Sequence, residues 1–321
     1  MNFENKTIWF IKRIIISGLM LLDTAKLISK ESFSAIKHKM AKNDDKDYLN
    51  SFIKMRSHFV EKMLFHPTRY SNKKNCDRIA FQLKEALKEW DKRNYKLTPP
   101  VVWAKKMLSE YKYVENKKGC PNEQMGLKRR NTFFVDSKNL INLMKSRRSI
   151  RHFTKETISS EEKKLLFESA LWAPSSCNKQ AVSFIMVDKP SLKKAISDTL
   201  RGGFRFFYEA PYILLFIADK RNYNYPKERF TPYQDGAAAM QNVLLMAESL
   251  NLGACWGTYT SYSSVINERK MKKLLKIPDY FMFTGALAIG HTDQVVCYVA
   301  RDKIEEKFSH NYFNNKNGLE K

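Results

Sequence analysis

The sequence predicts an α+β protein in two unlike parts: a basic all-helical extension over about 1–135, and a region over about 136–313 where helices and strands alternate. Three observations carry this. Apolar residues recur at helical spacing between residues 46 and 113. Beyond residue 180, the runs Ser183–Val187, Ala210–Ala218 and Phe281–Ile289 have strand length and apolar character. At 321 residues the chain exceeds one typical domain and can bury a sizeable core. A polar tail over 314–321 closes it.

Taken in order, Ile8–Leu22 is an apolar stretch broken by Lys12 and Arg13. Its uninterrupted part falls short of the roughly 20 residues a membrane span needs, and no small-residue cleavage site follows it. Lys26, Lys30, Lys37 and Lys39 come next. A helix lying on an anionic membrane surface and a helix buried in the protein's own dimer both fit this pattern. Residues 46–66 and 77–90 then read as amphipathic helices, carrying Phe52, Ile53, Val60 and Leu64, then Ile79, Leu83, Leu87 and Trp90. Thr98-Pro99-Pro100 starts another helix, to about Tyr113, and the polar segment to Asn131 reads as linker.

From Ser137 a short helix leads to Arg147. Ser159 with Glu162 three residues on forms a capping box, and that helix stops before Pro174, which disfavours helical geometry in the residue preceding it. The strand Ser183–Val187 precedes a helix from Pro190, a residue suited to a first turn. Ala210–Ala218 is apolar throughout, as a central strand is. A long helix over about 233–250, a short strand at Cys255-Trp256, a helix ending near Lys276, the strand Phe281–Ile289 and an extended segment Val295–Arg301 complete the series.

Composition narrows the chemistry. Hydrophobic residues make up 43% and aromatic residues 13%, as in a globular protein. The net charge of +24, heavier before residue 140, favours anionic partners such as phosphorylated ligands, anionic lipid or nucleic acid. A lysine-rich composition inherited from an AT-rich genome gives the same balance with no partner at all. The five cysteines, Cys76, Cys120, Cys177, Cys255 and Cys297, are odd in number and never spaced Cys-x-x-Cys. That fits a reducing compartment and argues against a disulfide framework or zinc site. The histidines show no metal-ligand spacing either. Glycine-rich dinucleotide, Walker and Gly-x-Ser-x-Gly signatures are missing, which speaks against a Rossmann dehydrogenase, a P-loop ATPase or a serine hydrolase.

Two stretches do carry chemistry. Arg147, Arg148 and Arg151 put three guanidinium groups within five residues at a helix end, with the hydroxyl of Ser149 between them. Such planar, permanently charged forks suit a phosphate. After one capped helix comes Ala173-Pro174-Ser175-Ser176-Cys177-Asn178-Lys179-Gln180, a run of hydroxyls and amides able to bond the polar edge of a flat heterocycle.

Together with Asp235-Gly236-Ala237-Ala238-Ala239-Met240-Gln241-Asn242 and Leu252-Gly253-Ala254-Cys255-Trp256-Gly257, these stretches resemble the FMN-dependent nitroreductase-like family over about 140–310. The resemblance implies a mixed, mostly antiparallel sheet flanked by helices. It also implies a cytoplasmic FMN oxidoreductase passing electrons by ping-pong from NAD(P)H to a small organic acceptor. The cofactor would lie at a homodimer interface, with no dedicated protein acid or base. Arg147, Arg148 and Ser149 would hold the phosphate and ribityl chain, and Arg301 would reach the phosphate. Arg151 would face the N1–C2 carbonyl edge of the ring. Pro174, Ser175, Ser176 and Asn178 would line the ring from the second subunit, and Trp256, Gly257 and Thr258 would pass over it. His152 reads as structural.

Arg201-Gly202-Gly203-Phe204 and Gly290-His291-Thr292-Asp293 depart from the family pattern, so the acceptor pocket is expected to differ. Alternatives are a specialised flavin reaction (fragmentation, dehalogenation or dehydrogenation) and a non-enzymatic module using the basic extension to bind an anionic membrane surface or nucleic acid. On the enzymatic reading no nucleic-acid partner is expected, and contact with the membrane is at most peripheral.

Overall fold

The structure, a computed structural model, describes residues 46–65, 73–117, 136–199, 205–224, 227–257, 265–297 and 299–315. The apolar stretch Ile8–Leu22, the basic residues to Lys39, the linker over 118–131 and Thr258 lie outside the described residues.

Three helices form the extension: α1 (Lys46–Phe65), α2 (Lys73–Lys92) and α3 (Pro99–Lys117). Each turns one apolar stripe inward, because residues three or four apart share a helix face. Ile53, Val60 and Leu64 of α1 thus meet Leu83 and Trp90 of α2 and Val101 and Ala104 of α3 in a core of their own. Tyr111 donates its hydroxyl to Asp77 at 2.7 Å, tying α3 to α2. No described helix is long and apolar enough to cross a membrane.

The second region carries α4 (Ser137–Ser146), α5 (Ser160–Leu171), β1 (Val182–Val187), α6 (Pro190–Thr199), α7 (Arg205–Glu209), β2 (Tyr212–Asp219), α8 (Thr231–Ser249), β3 (Gly253–Gly257), α9 (Val265–Leu274), β4 (Phe281–Gly290) and α10 (Ile304–Lys307). The four strands lie in the order β1-β2-β4-β3, every neighbouring pair antiparallel. One isolated parallel bridge, Ser149 to Ala254, is added beside β3. The expected α+β architecture is present. The fully buried β2 is central, as its unbroken apolar run requires.

Side chains alternate across a strand, so β2 feeds two cores. Ile213, Leu215 and Ile217 pack with Ile196 of α6, Phe207 of α7 and Met271 of α9. Leu214 and Phe216 pack on the other face with Leu166 of α5 and with Met240, Val243 and Leu244 of α8. Gly236 lets α8 approach the sheet, since a Cβ there would stand 2.2 Å from Thr284 Oγ1. Helix α5 opens with the expected box: Glu162 N–H donates to Ser159 Oγ at 3.2 Å, and Ser159 N–H donates to Glu162 Oε2 at 2.7 Å.

Helix α4 is the exception to inward packing. Asp136 caps it by accepting from the Lys138 N–H at 3.0 Å, yet none of its residues is buried. Leu140, Ile141 and Met144 all face solvent.

Candidate functional site

The arginine cluster sits where the chain leaves α4 and runs beside β3. Ile150 N–H donates to the Ala254 carbonyl at 3.0 Å, and Thr154 N–H to the His291 carbonyl at 2.9 Å, so the segment is laid along the sheet end. Gly253 makes the close approach possible, because a Cβ there would stand 2.5 Å from Ile150 Cγ2. The turn is locked from the C-terminal side. Gln294 Oε1 accepts from the backbone N–H groups of Arg151 at 2.8 Å and His152 at 2.9 Å. Thr292 donates its hydroxyl to the His152 carbonyl at 2.7 Å. Gln294 was not picked out from sequence and Thr292 only as part of a departure from the family pattern, since no local pattern marks a side chain that caps a turn so distant along the chain.

The result is a pocket of about 380 Å³ whose walls include Arg147, Arg148, Ser149, Arg151, Gln294 and Arg301. Among the described residues, no carboxylate belongs to its lining. The four guanidinium groups are not equivalent. Arg148 donates Nε to the Cys297 carbonyl at 3.2 Å, and Nη1 to the carbonyls of Lys145, Ser146 and Arg147. It therefore covers the carbonyl end of α4 and anchors the C-terminal arm. Arg151 points its guanidinium toward Phe206, 6.0 Å from the ring centre. Burial pushes the nearby Cys255 thiol up, and the positive charges of Arg151 and Arg147 partly offset that.

The second expected half of the site lies elsewhere. Ser176–Asn178 forms a 3₁₀ turn just before β1, with Cys177, Asn178 and Gln180 at φ of 51°, 52° and 49°. Left-handed non-glycine residues each cost on the order of 1–3 kcal/mol and persist only where surroundings dictate them. Here they do. Ser176 N–H donates to Asp235 Oδ1 at 2.9 Å, while the buried Tyr223 hydroxyl donates to Asp235 Oδ2 at 2.8 Å. Gln180 N–H donates to Ser175 Oγ at 3.0 Å. Burial pushes the Asp235 carboxyl up, against the hydrogen bonds from Ser176 and Tyr223.

The extension takes part as well. Ser51 of α1 donates its hydroxyl to the Lys179 carbonyl at 2.9 Å, and Lys179 Nζ pairs with Glu228 at 2.8 Å.

The two halves occupy diagonally opposite corners of one sheet. Val182, after the turn, pairs through Ala218 to Met282, whereas Ala254 pairs with Ile289. Three strand spacings amount to about 14 Å, and the seven-residue step along β4 from Met282 to Ile289 to about 23 Å. The structure thus brings Arg147, Arg148, Ser149, Arg151 and Arg301 together, and keeps Pro174, Ser175, Ser176 and Asn178 apart from them. Trp256 and Gly257 lie on β3, beyond Ala254. His152 stands 3.4 Å from Asp293, both exposed.

Comparison with known proteins shows what the second region is similar to. Residues 144–206 and 200–291 match the model of the nitroreductase family. A protein of Archaeoglobus fulgidus provisionally named NADH dehydrogenase/NAD(P)H nitroreductase is 28% identical over 166 residues, covering 51% of this chain and 92% of that protein. An NAD(P)H FMN reductase of Bacillus subtilis is 30% identical over 166 residues, 47% of this chain and 65% of its own length. The solved structure of NfrA2 from B. megaterium superposes with a TM-score of 0.50 at 24% identity, over 54% of this chain and 74% of that one. At that identity the likeness is one of fold.

Proposed function

We infer that this chain, whose residues 144–291 belong to the nitroreductase family, is an FMN-dependent oxidoreductase carrying electrons from NAD(P)H to a small organic acceptor by a ping-pong route. The observation that carries the reading is the pocket of four guanidinium groups with no lining carboxylate among the described residues. That donor set fits the phosphate of FMN, which needs several charge-assisted hydrogen bonds and no competing anion. When bound, the flavin ring supplies the electron-transfer chemistry, and the protein supplies binding, orientation and electrostatics.

Within that division of labour, Arg147, Ser149 and Arg301 hold the phosphate end. Arg148 serves by fixing the arm that carries Arg301. Arg151, its backbone held by Gln294, sets a fixed positive charge where negative charge grows on the ring's carbonyl edge. No side chain is assigned as a proton donor.

The separation of the two half-sites supports a homodimer in which the Ser175–Asn178 turn of one copy completes the arginine pocket of the other. The exposed apolar residues Leu140, Ile141 and Met144 of α4 and Val295 of the arm supply a surface for such contact. The two-part division near residue 135 gives the extension a supporting role, holding the turn through Ser51.

The test is anaerobic titration of the purified yellow protein with NADH and with NADPH. Bleaching of the flavin band by either donor, and its return on adding an acceptor, is the expected result. A colourless protein that takes up no FMN overturns the reading.

A further inference from the structure

We propose that the cleft between α1 and the Cys177–Lys179 turn is a binding site for a small planar carboxylate, with Arg56 as its anchor. The cleft has a volume of about 380 Å³, within the range of small-molecule pockets. Its walls join the extension to the second region, and nothing in it belongs to the arginine pocket beside β3.

The charge balance selects the ligand. Arg221 in the wall is neutralised by the buried Asp219, Nη2 to Oδ2 at 2.6 Å. Lys179 is neutralised by Glu228, which also accepts from the Asn224 N–H at 2.7 Å. Arg56 is different: its Nε is buried with no hydrogen-bond acceptor, and among the described residues no carboxylate pairs with it. A half-buried guanidinium that lines a cleft and has no carboxylate partner among the described residues is a ready anchor for an anion. Burial, then the neighbouring Arg78, pushes its pKa down from the ordinary value, which fits a cation short of negative company. One surplus positive charge matches one monoanion. Among the described residues of the lining, a dianion would meet the Glu228 carboxylate with no second unpaired cation beside Arg56.

The shape selects further. The Arg56 guanidinium lies 4.8 Å from the Phe52 ring centre and 6.0 Å from that of Phe59, which hold its plane in place. Tyr48 and Met55 add to the apolar walls, and Ser51 and Asn222 add polar groups. A carboxylate can take two parallel bonds from a fixed guanidinium while an attached aromatic ring stacks against these walls. Cys177 and Ser51 belong to the turn and its support in the flavin reading, whereas Arg56, Phe52 and Phe59 take no part in it.

The test uses the full chain, with and without added FMN, and benzoate as the probe. Cys177 lines the cleft, so its alkylation by iodoacetamide, followed site by site by mass spectrometry, reports occupancy. Benzoate at about ten times its dissociation constant should slow labelling of Cys177 about tenfold. Labelling of Cys297, in the other pocket, should not change. Arg56→Gln should weaken this protection about ten- to a hundredfold, as loss of a charge-assisted pair does. Arg56→Lys should fall between Arg56→Gln and the parent. Cyclohexanecarboxylate, equal in charge but not planar, should protect less well than benzoate, and inorganic phosphate should not protect. Unchanged Cys177 labelling in saturating benzoate, protection by phosphate, or equal protection in a folded Arg56→Gln variant overturns the proposal. The parent measurement stands alone should Arg56→Gln fail to fold.

Discussion

Replacing Asp235 by alanine isolates what holds the serine turn. The carboxylate accepts two hydrogen bonds, from the Ser176 N–H at 2.9 Å and the Tyr223 hydroxyl at 2.8 Å. Tyr223 is 1% exposed, so losing this hydrogen bond in a buried setting should cost about 1–3 kcal/mol. The Ser176 N–H is less enclosed and adds a fraction of that. Asp235→Ala should therefore lower stability by about 2–4 kcal/mol.

Asp235→Asn keeps an acceptor for the Ser176 N–H and offers its NH₂ to the tyrosine oxygen, so its cost at neutral pH should be small. The sign of the pH effect follows from the raised carboxyl. A group that binds its proton more readily in the folded state contributes stability below its unfolded value, near 3.8, and loses it as pH rises through the folded value. The asparagine variant should thus gain on the parent as pH rises through that window and hold the gain at neutral pH. Urea unfolding of parent, Ala and Asn variants across acid to neutral pH reads all three quantities. An alanine variant within about 0.5 kcal/mol of the parent would refute the reasoning, because it would leave the left-handed turn without its main constraint.

The other expectations concern separate elements. Arg147→Ala should weaken FMN binding about ten- to a hundredfold. Arg151→Ala should disturb binding less and make the bound flavin harder to reduce; fluorescence titration and potentiometry check the pair. Ser159→Ala removes one arm of the capping box and should cost about 1 kcal/mol in urea unfolding without changing flavin affinity. Gly236→Ala drives a Cβ into Thr284, whose hydroxyl donates to the Phe216 carbonyl at 3.2 Å. It should cost about 1–3 kcal/mol, and a Gly236→Ala/Thr284→Ala double variant should recover part of that if the clash is the cause.

How much of this was legible in the sequence depends on the range of the interaction. The capping box at Ser159 and the first-turn Pro190 are written in neighbouring residues, and both appear as read. Helix α8 was anticipated, but the close approach of its Gly236 to Thr284, with Ala239 buried in the same core, was not. Helix α7, five residues long, has too little sequence to show a period, although its Phe207 is fully buried. The contacts that shape the site were not legible at all. Ser176 to Asp235, Arg151 to Gln294 and Ser51 to Lys179 span 59, 143 and 128 residues, and each joins a side chain to a distant backbone group. Such bonds leave no periodic trace. The three arginines stood out by type and spacing, yet the engagement of Arg148 with the carbonyls ending α4 needed the fold.

The central claim is that one flavin site is built from two copies of the chain, an arginine corner from one and a serine turn from the other. Sedimentation velocity of the purified protein, recorded at the flavin's visible band and at the protein band together, tests it most directly. All the flavin should sediment with a dimer, and dilution into monomer should release it as small, slowly sedimenting molecules. A monomer that keeps its flavin would contradict the account.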